Sequence, residues 1–176
     1  KKTNENSLRV NQQYAHLQQL TKSTLGARKA FENILVNIDR HDVYSLLSLG
    51  NFYLRSARKN KMRESEVCKA MDFFQKVLTL DSHNIYAANG IGMSLQMRGH
   101  LSQAKEIFVE LKQNENDFPD AWINLGHLCL EGGQTLAALN LYENCSRKYL
   151  SDSDPVVLMF IAKCWYILGR EEGNFS

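Results

Sequence analysis

Residue types that commonly catalyse reactions or bind metals occur in this sequence, but not at the spacings that such sites need. The histidines are scattered, and none has a second ligand at the spacing of a metal site. Gly90-x-Gly92 resembles the start of a phosphate-binding loop, yet it lies within a helical pattern, with no preceding strand and no following Lys-Ser/Thr pair. We therefore predict a protein that is not an enzyme and uses no metal and no cofactor. The histidines are His16, His41, His83, His100 and His127.

The composition narrows the remaining classes of function. With 176 residues, 44% of them hydrophobic, the chain is long and apolar enough to fold around a core. Its net charge of +2 gives no basis for direct nucleic-acid binding, and its longest apolar run, 156–161, is too short to span a membrane. The four cysteines form no C-x-x-C pair, which favours reduced thiols inside the cell. The chain starts on a polar stretch without methionine, so we expect a fragment of a longer protein.

One pattern between residues 119 and 142 organises the rest of the chain. It begins with three residues at i, i+3 and i+7, namely Trp122, Leu125 and Cys129, and this spacing places them on one face of a helix. Gly126 and Ala138 are small, so the two helices that flank the Gly132-Gly133 turn can approach each other closely. This is the W-x₂-L-G-x₂-Y…A-x₃-F signature of tetratricopeptide (TPR) repeats, with Cys for the Tyr and Tyr for the Phe. Its residues are Trp122, Leu125, Gly126, Cys129, Ala138 and Tyr142.

Further copies of this signature lie on both sides of it. Because the apolar positions, the small residues, the aromatic residue and the turn glycines recur in register, chance does not explain them. The pattern predicts an all-α fold, a right-handed α-solenoid of TPR helix-turn-helix repeats, in which each repeat packs on its neighbours. The other copies are Leu46, Leu49, Gly50, Tyr53, Ala70 and Phe74; Ala88, Ile91, Gly92, Leu95, Ala104 and Phe108; and Leu158, Ile161, Ala162 and Trp165.

The repeats divide the chain into segments of unequal regularity. The helix at 155–168 is apolar nearly all round, whereas a terminal repeat helix needs a polar outer face. We expect that either further repeats or a partner covers this helix. The predicted segments are a polar lead-in (1–7), a degenerate repeat (8–42), a repeat with an insertion (43–84), two regular repeats (85–118 and 119–154), the first helix of a further repeat (155–170) and a tail (171–176).

The repeat at 43–84 is eight residues longer than the others between its two small signature positions, Gly50 and Ala70. The extra residues, about 55–67, are rich in cations. One interpretation is a solvated turn or an extended helix. The other is a docking element for an acidic partner surface, because repeat insertions map to one face and often bind. The residues proposed for that docking are Arg58, Lys59, Lys61 and Arg63.

The first helices of TPR repeats line the concave side of the solenoid. Here the inward positions hold several apolar side chains, and flexible methionines suit adaptable peptide contacts. The alternative is that tight curvature buries these residues against each other. The lysine positions of the chaperone-docking clamp hold Leu47 and Asp120, so that clamp is missing. The predicted partner-binding residues are Tyr44, Leu47, Asn51, Tyr86, Asn89, Met93, Met97, Ile123, His127 and Leu130.

Four segments resemble one TPR family more specifically. They are the stretches at 42–51, 84–92, 120–127 and 141–149, of which YAANGIG (86–92) and YENCSRK (142–148) are the most distinctive. In order and spacing they are similar to the TPR scaffold subunit of the RNA polymerase II-associated factor (PAF) elongation complex, over roughly 42–170. In that family, too, an overlong repeat with a basic insertion precedes the YAANGIG helix.

The resemblance implies a nuclear, non-catalytic scaffold. Its expected partners are proteins, namely the other PAF subunits and RNA polymerase II, with no small-molecule substrate and no membrane. Through such a scaffold, elongation would be coupled to H2B ubiquitylation and H3 methylation. Two alternatives remain open: a TPR co-chaperone or assembly adaptor of another complex, which the missing clamp disfavours, and an enzyme whose catalytic domain lies outside this fragment.

Overall fold

The structure, a computed structural model, describes residues 2–21, 23–59, 64–114, 118–149 and 154–173. These residues form nine α-helices and no strand. The helices are α1 (Lys2–Leu20), α2 (Thr24–Asn37), α3 (Val43–Lys59), α4 (Glu64–Leu80), α5 (Ile85–Met97), α6 (Leu101–Asn114), α7 (Pro119–Glu131), α8 (Thr135–Tyr149) and α9 (Pro155–Gly173).

The chain divides into two compact units, residues 1–98 and residues 99–176. In the first unit each of the helices α1 to α4 packs on the next one, and α3 also contacts α5. In the second unit α6 packs on α7, α7 on α8 and α8 on α9. Packing between successive helices is the contact pattern of a repeat protein. The division falls within the predicted repeat at 85–118, and the predicted repeat boundaries stay predictions.

Two helix bounds differ from the expected segments. α1 begins at Lys2, within the predicted lead-in, and α9 continues to Gly173, within the predicted tail. Neither segment contains a proline, and their lysine and glutamate residues are good helix formers, so polarity alone does not end a helix there. The described part of the insertion is also helical: 55–59 belong to α3 and 64–67 to α4. These residues therefore continue α3 and α4, as the interpretation of the insertion as an extended helix expects.

Polar caps and glycines set several helix ends. The side chain of Asn84 accepts a hydrogen bond from the Ala87 amide at 3.0 Å and caps α5. Asp42 does the same for α3 through the Ser45 amide at 2.9 Å. Two turns between helices need a left-handed backbone, and glycine supplies it at Gly99 (φ 80°) and Gly133 (φ 72°).

The signature residues show why small and aromatic positions alternate between paired helices. Phe74 of α4 is fully buried, and a Cβ added at Gly50 or Gly90 would lie 2.7 or 2.5 Å from its Cζ atom. Tyr142 of α8 fills the same place against Gly126, where an added Cβ would lie 2.6 Å from the tyrosine Cζ. Most signature residues are buried: Leu46, Leu49, Gly50, Ala70, Phe74, Gly92, Ala104, Phe108, Leu125, Gly126, Ala138 and Tyr142. Trp122 is partly buried, while Ala162 and Trp165 are exposed.

Candidate partner-binding surfaces

The described part of the basic insertion presents its cations to solvent. Arg55, Arg58 and Lys59 are exposed near the end of α3, while Lys61 and Arg63 lie outside the described residues. Cations in the last turn of a helix interact favourably with the carbonyl groups that point out of its end. This interaction accounts for Arg58 and Lys59 without a partner, so a docking role for the insertion stays a prediction.

Three of the predicted concave-face residues in the first unit are open to solvent. Tyr44 is 42% exposed, Tyr86 is 60% exposed, and Asn51 is also exposed. The Tyr44 ring packs edge-on against Phe31 with centroids 5.8 Å apart, and its hydroxyl lies 3.2 Å from Nδ1 of His16. This second contact orients the tyrosine hydroxyl at the surface. The three side chains are therefore accessible to a partner.

The other predicted residues of the first unit lie at the border between core and solvent. Leu47, Met93 and Met97 are partly buried and pack against the cluster that contains Phe74. Asn89 is only 8% exposed, and its Nδ2 atom lies 3.8 Å from the sulfur of Met93. A partner would reach the edges of the methionines but little of Asn89.

In the second unit, His127 belongs to an aromatic cluster between three helices. Its Nδ1 lies 2.6 Å from the hydroxyl of Tyr142, and its ring meets Phe160 edge-on with centroids 4.6 Å apart. The rings of Tyr142 and Phe160 stack at 5.4 Å. Burial raises the pKa of the Tyr142 phenol, so the hydroxyl stays neutral. His127 thus joins α7 to α8 and α9.

Ile123 and Leu130, the remaining predicted residues, pack against the same region. Both are partly buried and contact the cluster that includes Leu139, Tyr142 and Val157. These two residues and His127 are thus partly buried against α8 and α9, and burial of the inner-face residues against each other by tight curvature stays a prediction. Whether they also contact a partner stays a prediction.

Trp122 has an environment that its signature position does not predict. The ring is partly buried, and the ammonium groups of Lys112 and Lys148 lie 4.3 and 5.9 Å from its centroid. Tyr149 meets it edge-on at 6.3 Å. Such cation–π contacts contribute roughly 0.5–2 kcal/mol each, depending on exposure. The two ammonium groups thus make contacts to the ring that the repeat signature does not predict.

A groove between α1, α2 and α3 was not predicted from the sequence. Its volume is about 200 Å³, and its floor is aromatic while its rim carries cations. None of its residues is among the partner-binding residues predicted for the concave side. The first repeat is degenerate, so the repeat pattern does not predict that these residues meet. The lining residues are Gln19, Ala27, Arg28, Phe31, Ser48, Phe52, Arg55, Ser56 and Lys59.

Other kinds of site have little support in the part of the chain that the structure describes. There, no three His, Cys, Asp or Glu side chains are placed to hold a metal ion. No helix in the described ranges is both long and apolar enough to cross a membrane. Burial raises the pKa of the Cys145 thiol to about 11 and also raises the pKa of Cys164. Both thiols are therefore protonated at neutral pH and have the character of packing residues.

Comparison with solved structures confirms the predicted fold class. A thermophilic TPR protein of Thermus thermophilus matches with a TM-score of 0.73 at 13% identity, covering 86% of this chain and 78% of that one. PilF of Pseudomonas aeruginosa matches with a TM-score of 0.72 at 19% identity, covering 96% of this chain and 72% of that one. At these identities the likeness concerns the fold alone. The protein is a TPR repeat protein of the all-α solenoid class.

Comparison with curated proteins identifies the family, although no protein-family model matches the chain. RNA polymerase-associated protein CTR9 of Caenorhabditis elegans is 33% identical over 147 residues, and the CTR9 homolog of Arabidopsis thaliana is 31% identical over 150. CTR9 of Saccharomyces cerevisiae is 31% identical over 152 residues. The chain belongs to the CTR9 family, which confirms the resemblance to the PAF scaffold subunit. The matches cover 80–81% of this chain but only 13–14% of those relatives.

Proposed function

We propose that this chain is part of a nuclear scaffold that assembles the PAF complex on elongating RNA polymerase II and couples transcription to histone modification. Its work is protein binding without catalysis. The partners are the other PAF subunits and the polymerase. As the chain spans about an eighth of its curated relatives, it supplies only some of these contacts.

Similarity to CTR9 proteins of an animal, a plant and a yeast carries this proposal. Two of the relatives are named as RNA polymerase-associated, which supports the polymerase as a partner and the nucleus as the location. The TPR fold supports a role in protein binding, since such repeats present extended surfaces to other proteins.

Within the proposed scaffold, the open side chains of the first unit are the strongest contact candidates. Tyr44 and Tyr86 combine exposure with an aromatic ring and a hydroxyl, which are the properties of interface anchors. The predicted concave-face residues and the basic insertion, with Arg58, Lys59, Lys61 and Arg63, are further proposed contacts. The insertion would meet an acidic surface.

The test is affinity purification of the tagged full-length protein from nuclear extract, followed by mass spectrometry. We expect the PAF subunits and RNA polymerase II in the eluate. A Tyr44→Ala/Tyr86→Ala double variant should lose at least one of them. A Tyr14→Ala/Val36→Ala double variant is the matched control, because it removes two exposed side chains outside the predicted face.

Different outcomes separate the family assignment from its proposed surface. Recovery of chaperones or an unrelated complex with the unaltered protein would overturn the transcription role. Recovery of the expected partners with equal losses in both double variants would overturn only the role of the two tyrosines.

A further inference from the structure

The groove between α1, α2 and α3 has the size of a docking cleft for side chains. Its volume of about 200 Å³ is below the roughly 300–1,000 Å³ of typical small-molecule sites. All of its lining residues belong to the first unit. One or two side chains of a bound segment fit such a space, while a cofactor does not.

The charge around the groove is one-sided. Arg28, Arg55 and Lys59 line it, and no carboxylate is found among its described lining residues. Glu32 lies 3.2 Å from the Arg28 guanidinium, but both side chains are about one-third exposed or more, so this pair is weak. In the described part of the chain, neither Arg55 nor Lys59 takes part in an ion pair. The groove therefore attracts anionic groups.

The floor of the groove is apolar and aromatic. Phe31 is buried, and Phe52 is partly exposed. The Arg28 guanidinium lies 5.6 Å from the centroid of the Phe52 ring. This contact holds the planar guanidinium in place, and a fixed guanidinium can bind a carboxylate through two parallel hydrogen bonds.

Helix stabilisation alone does not explain this arrangement of cations. Lys59 lies in the last turn of α3, where a positive charge is favourable. Arg28 lies near the beginning of α2, where a positive charge gains nothing from the helix dipole. Arg55 lies a full turn before Lys59, and the dipole effect is confined to the last turn. Cations from two helices thus converge on one groove without a common structural reason.

We propose that this groove is a docking site for an acidic peptide segment. The segment would insert an aromatic side chain beside Phe52 and place carboxylates on Arg28, Arg55 and Lys59. A peptide fits better than a nucleic acid, since single strands bind along extended basic stripes with several stacking rings, whereas here one partly exposed ring lies in a short cleft. The proposal stands on the geometry of the first unit and is independent of the family assignment.

Fluorescence anisotropy of the full-length protein with the labelled peptide EEEFEEE tests the proposal. We expect saturable, salt-sensitive binding, weaker binding of EEEAEEE and no binding of KKKFKKK. Arg55→Glu/Lys59→Glu should weaken binding of EEEFEEE about tenfold or more, which corresponds to about 1.4 kcal/mol. Both side chains are exposed, so circular dichroism and the melting temperature should stay unchanged.

The matched control is Arg9→Glu/Lys29→Glu, which makes the same change in charge at two exposed positions of α1 and α2 outside the groove. Affinity should then stay within about twofold, because neither side chain lines the groove and exposed charges are screened by salt. Equal losses in both double variants would indicate a general field effect and overturn the site. So would equal binding of EEEFEEE and EEEAEEE, or full competition by an oligouridylate of the same charge, which would indicate a phosphate site.

Discussion

Two first helices of the second unit, α7 and α9, carry the same signature but differ in what surrounds them. α7 packs on both α6 and α8. Among the described helices, α9 packs on α8. Gly126 of α7 is buried, but Ala162, its counterpart in α9, is exposed. Trp165 is 56% exposed, although its counterpart Cys129 is partly buried. Burial at the signature positions therefore depends on the second helix of the same repeat.

The opposite side of α9 shows that the helix itself is well packed. Val157 and Cys164 are buried against α8, and Phe160 stacks on Tyr142. We call this side the covered face of α9. The bare face of α9 is its exposed side, with three signature positions and one neighbour: Leu158, Ala162, Trp165 and, next to them, Tyr166. α9 thus has a buried face and an exposed face side by side.

The first unit supports the same conclusion. α3 carries the signature and is followed by α4, whose Phe74 fills the space over Gly50 and also packs on Gly90 of α5. One aromatic side chain of a second helix therefore contacts the small residues of two first helices. The bare face of α9 has the residue pattern for such a contact, and its coverage by a further repeat or a partner stays a prediction.

The largest effect should come from removing the aromatic residue that covers α7. Tyr142→Ala should cost about 3–5 kcal/mol of unfolding free energy, because the ring is fully buried and its hydrogen bond to His127 is lost. Trp165→Ala, on the bare face of α9, should cost less than about 1 kcal/mol. Urea unfolding of the 176-residue chain measures both values, with hydrogen exchange to locate the loss in α7 and α8.

Similar costs for the two variants would contradict the comparison. The same pair also tests whether something covers α9 in the complete protein. If the bare face is covered there, Trp165→Ala should destabilise full-length protein by clearly more than it destabilises the 176-residue chain. Equal effects in both chains would overturn the expectation of a cover at Trp165.

The signature predicted that the two helices of a repeat approach each other closely, because its small residues recur at a fixed spacing. The contacts of Gly50 with Phe74 and of Gly126 with Tyr142 both follow from this spacing. In each repeat, the small residue of the first helix lies opposite the aromatic residue of the second helix. The surroundings of Trp122 were less predictable, since Lys112 comes from the preceding repeat and lies over the ring through its long side chain. Spacing within one repeat contains no information on such a neighbour.

The groove and the helix bounds were beyond the sequence for related reasons. The groove needs three helices at once, and α1 belongs to the degenerate repeat, which departs from the signature. Arg28 and Phe52 are not signature positions, so only the packing of α2 on α3 reveals that they meet. The beginning of α1 at Lys2 depends on weak propensities of polar residues, which favour a helix without excluding a coil.

A smaller effect should separate the two faces of α9 at neighbouring positions. Val157 is 1% exposed and Val156 is 52% exposed, so the same substitution probes both environments. Val157→Ala should cost about 2 kcal/mol, because two buried methyl groups are lost and a cavity remains. Val156→Ala should change stability by less than about 0.5 kcal/mol. Urea unfolding of the 176-residue chain decides the point, and a larger cost at Val156 would mean that α9 is rotated from the described orientation.

The smallest effect is that of a glycine-to-alanine substitution, which should lower stability in α7 and raise it in α9. A Cβ at Gly126 would lie 2.6 Å from the Cζ atom of Tyr142, so the helices must separate, at a cost of about 1–3 kcal/mol. The higher helix propensity of alanine offsets about 1 kcal/mol of this, and Gly126→Ala should be destabilising by about 1 kcal/mol. A Cβ at Gly169 of α9 has no neighbour within 4 Å among the described residues. Gly169→Ala should therefore stabilise the chain, by about 0.5–1 kcal/mol.

Thermal melting of the 176-residue chain and of the two glycine variants gives both signs in one experiment. Stabilisation by Gly126→Ala would mean that α7 and α8 are less closely packed than the contact with Tyr142 requires. Destabilisation by Gly169→Ala would mean that the end of α9 is already in contact with another part of the chain. Opposite signs would support the view that a first helix needs a glycine only where the side chain of a second helix packs on it.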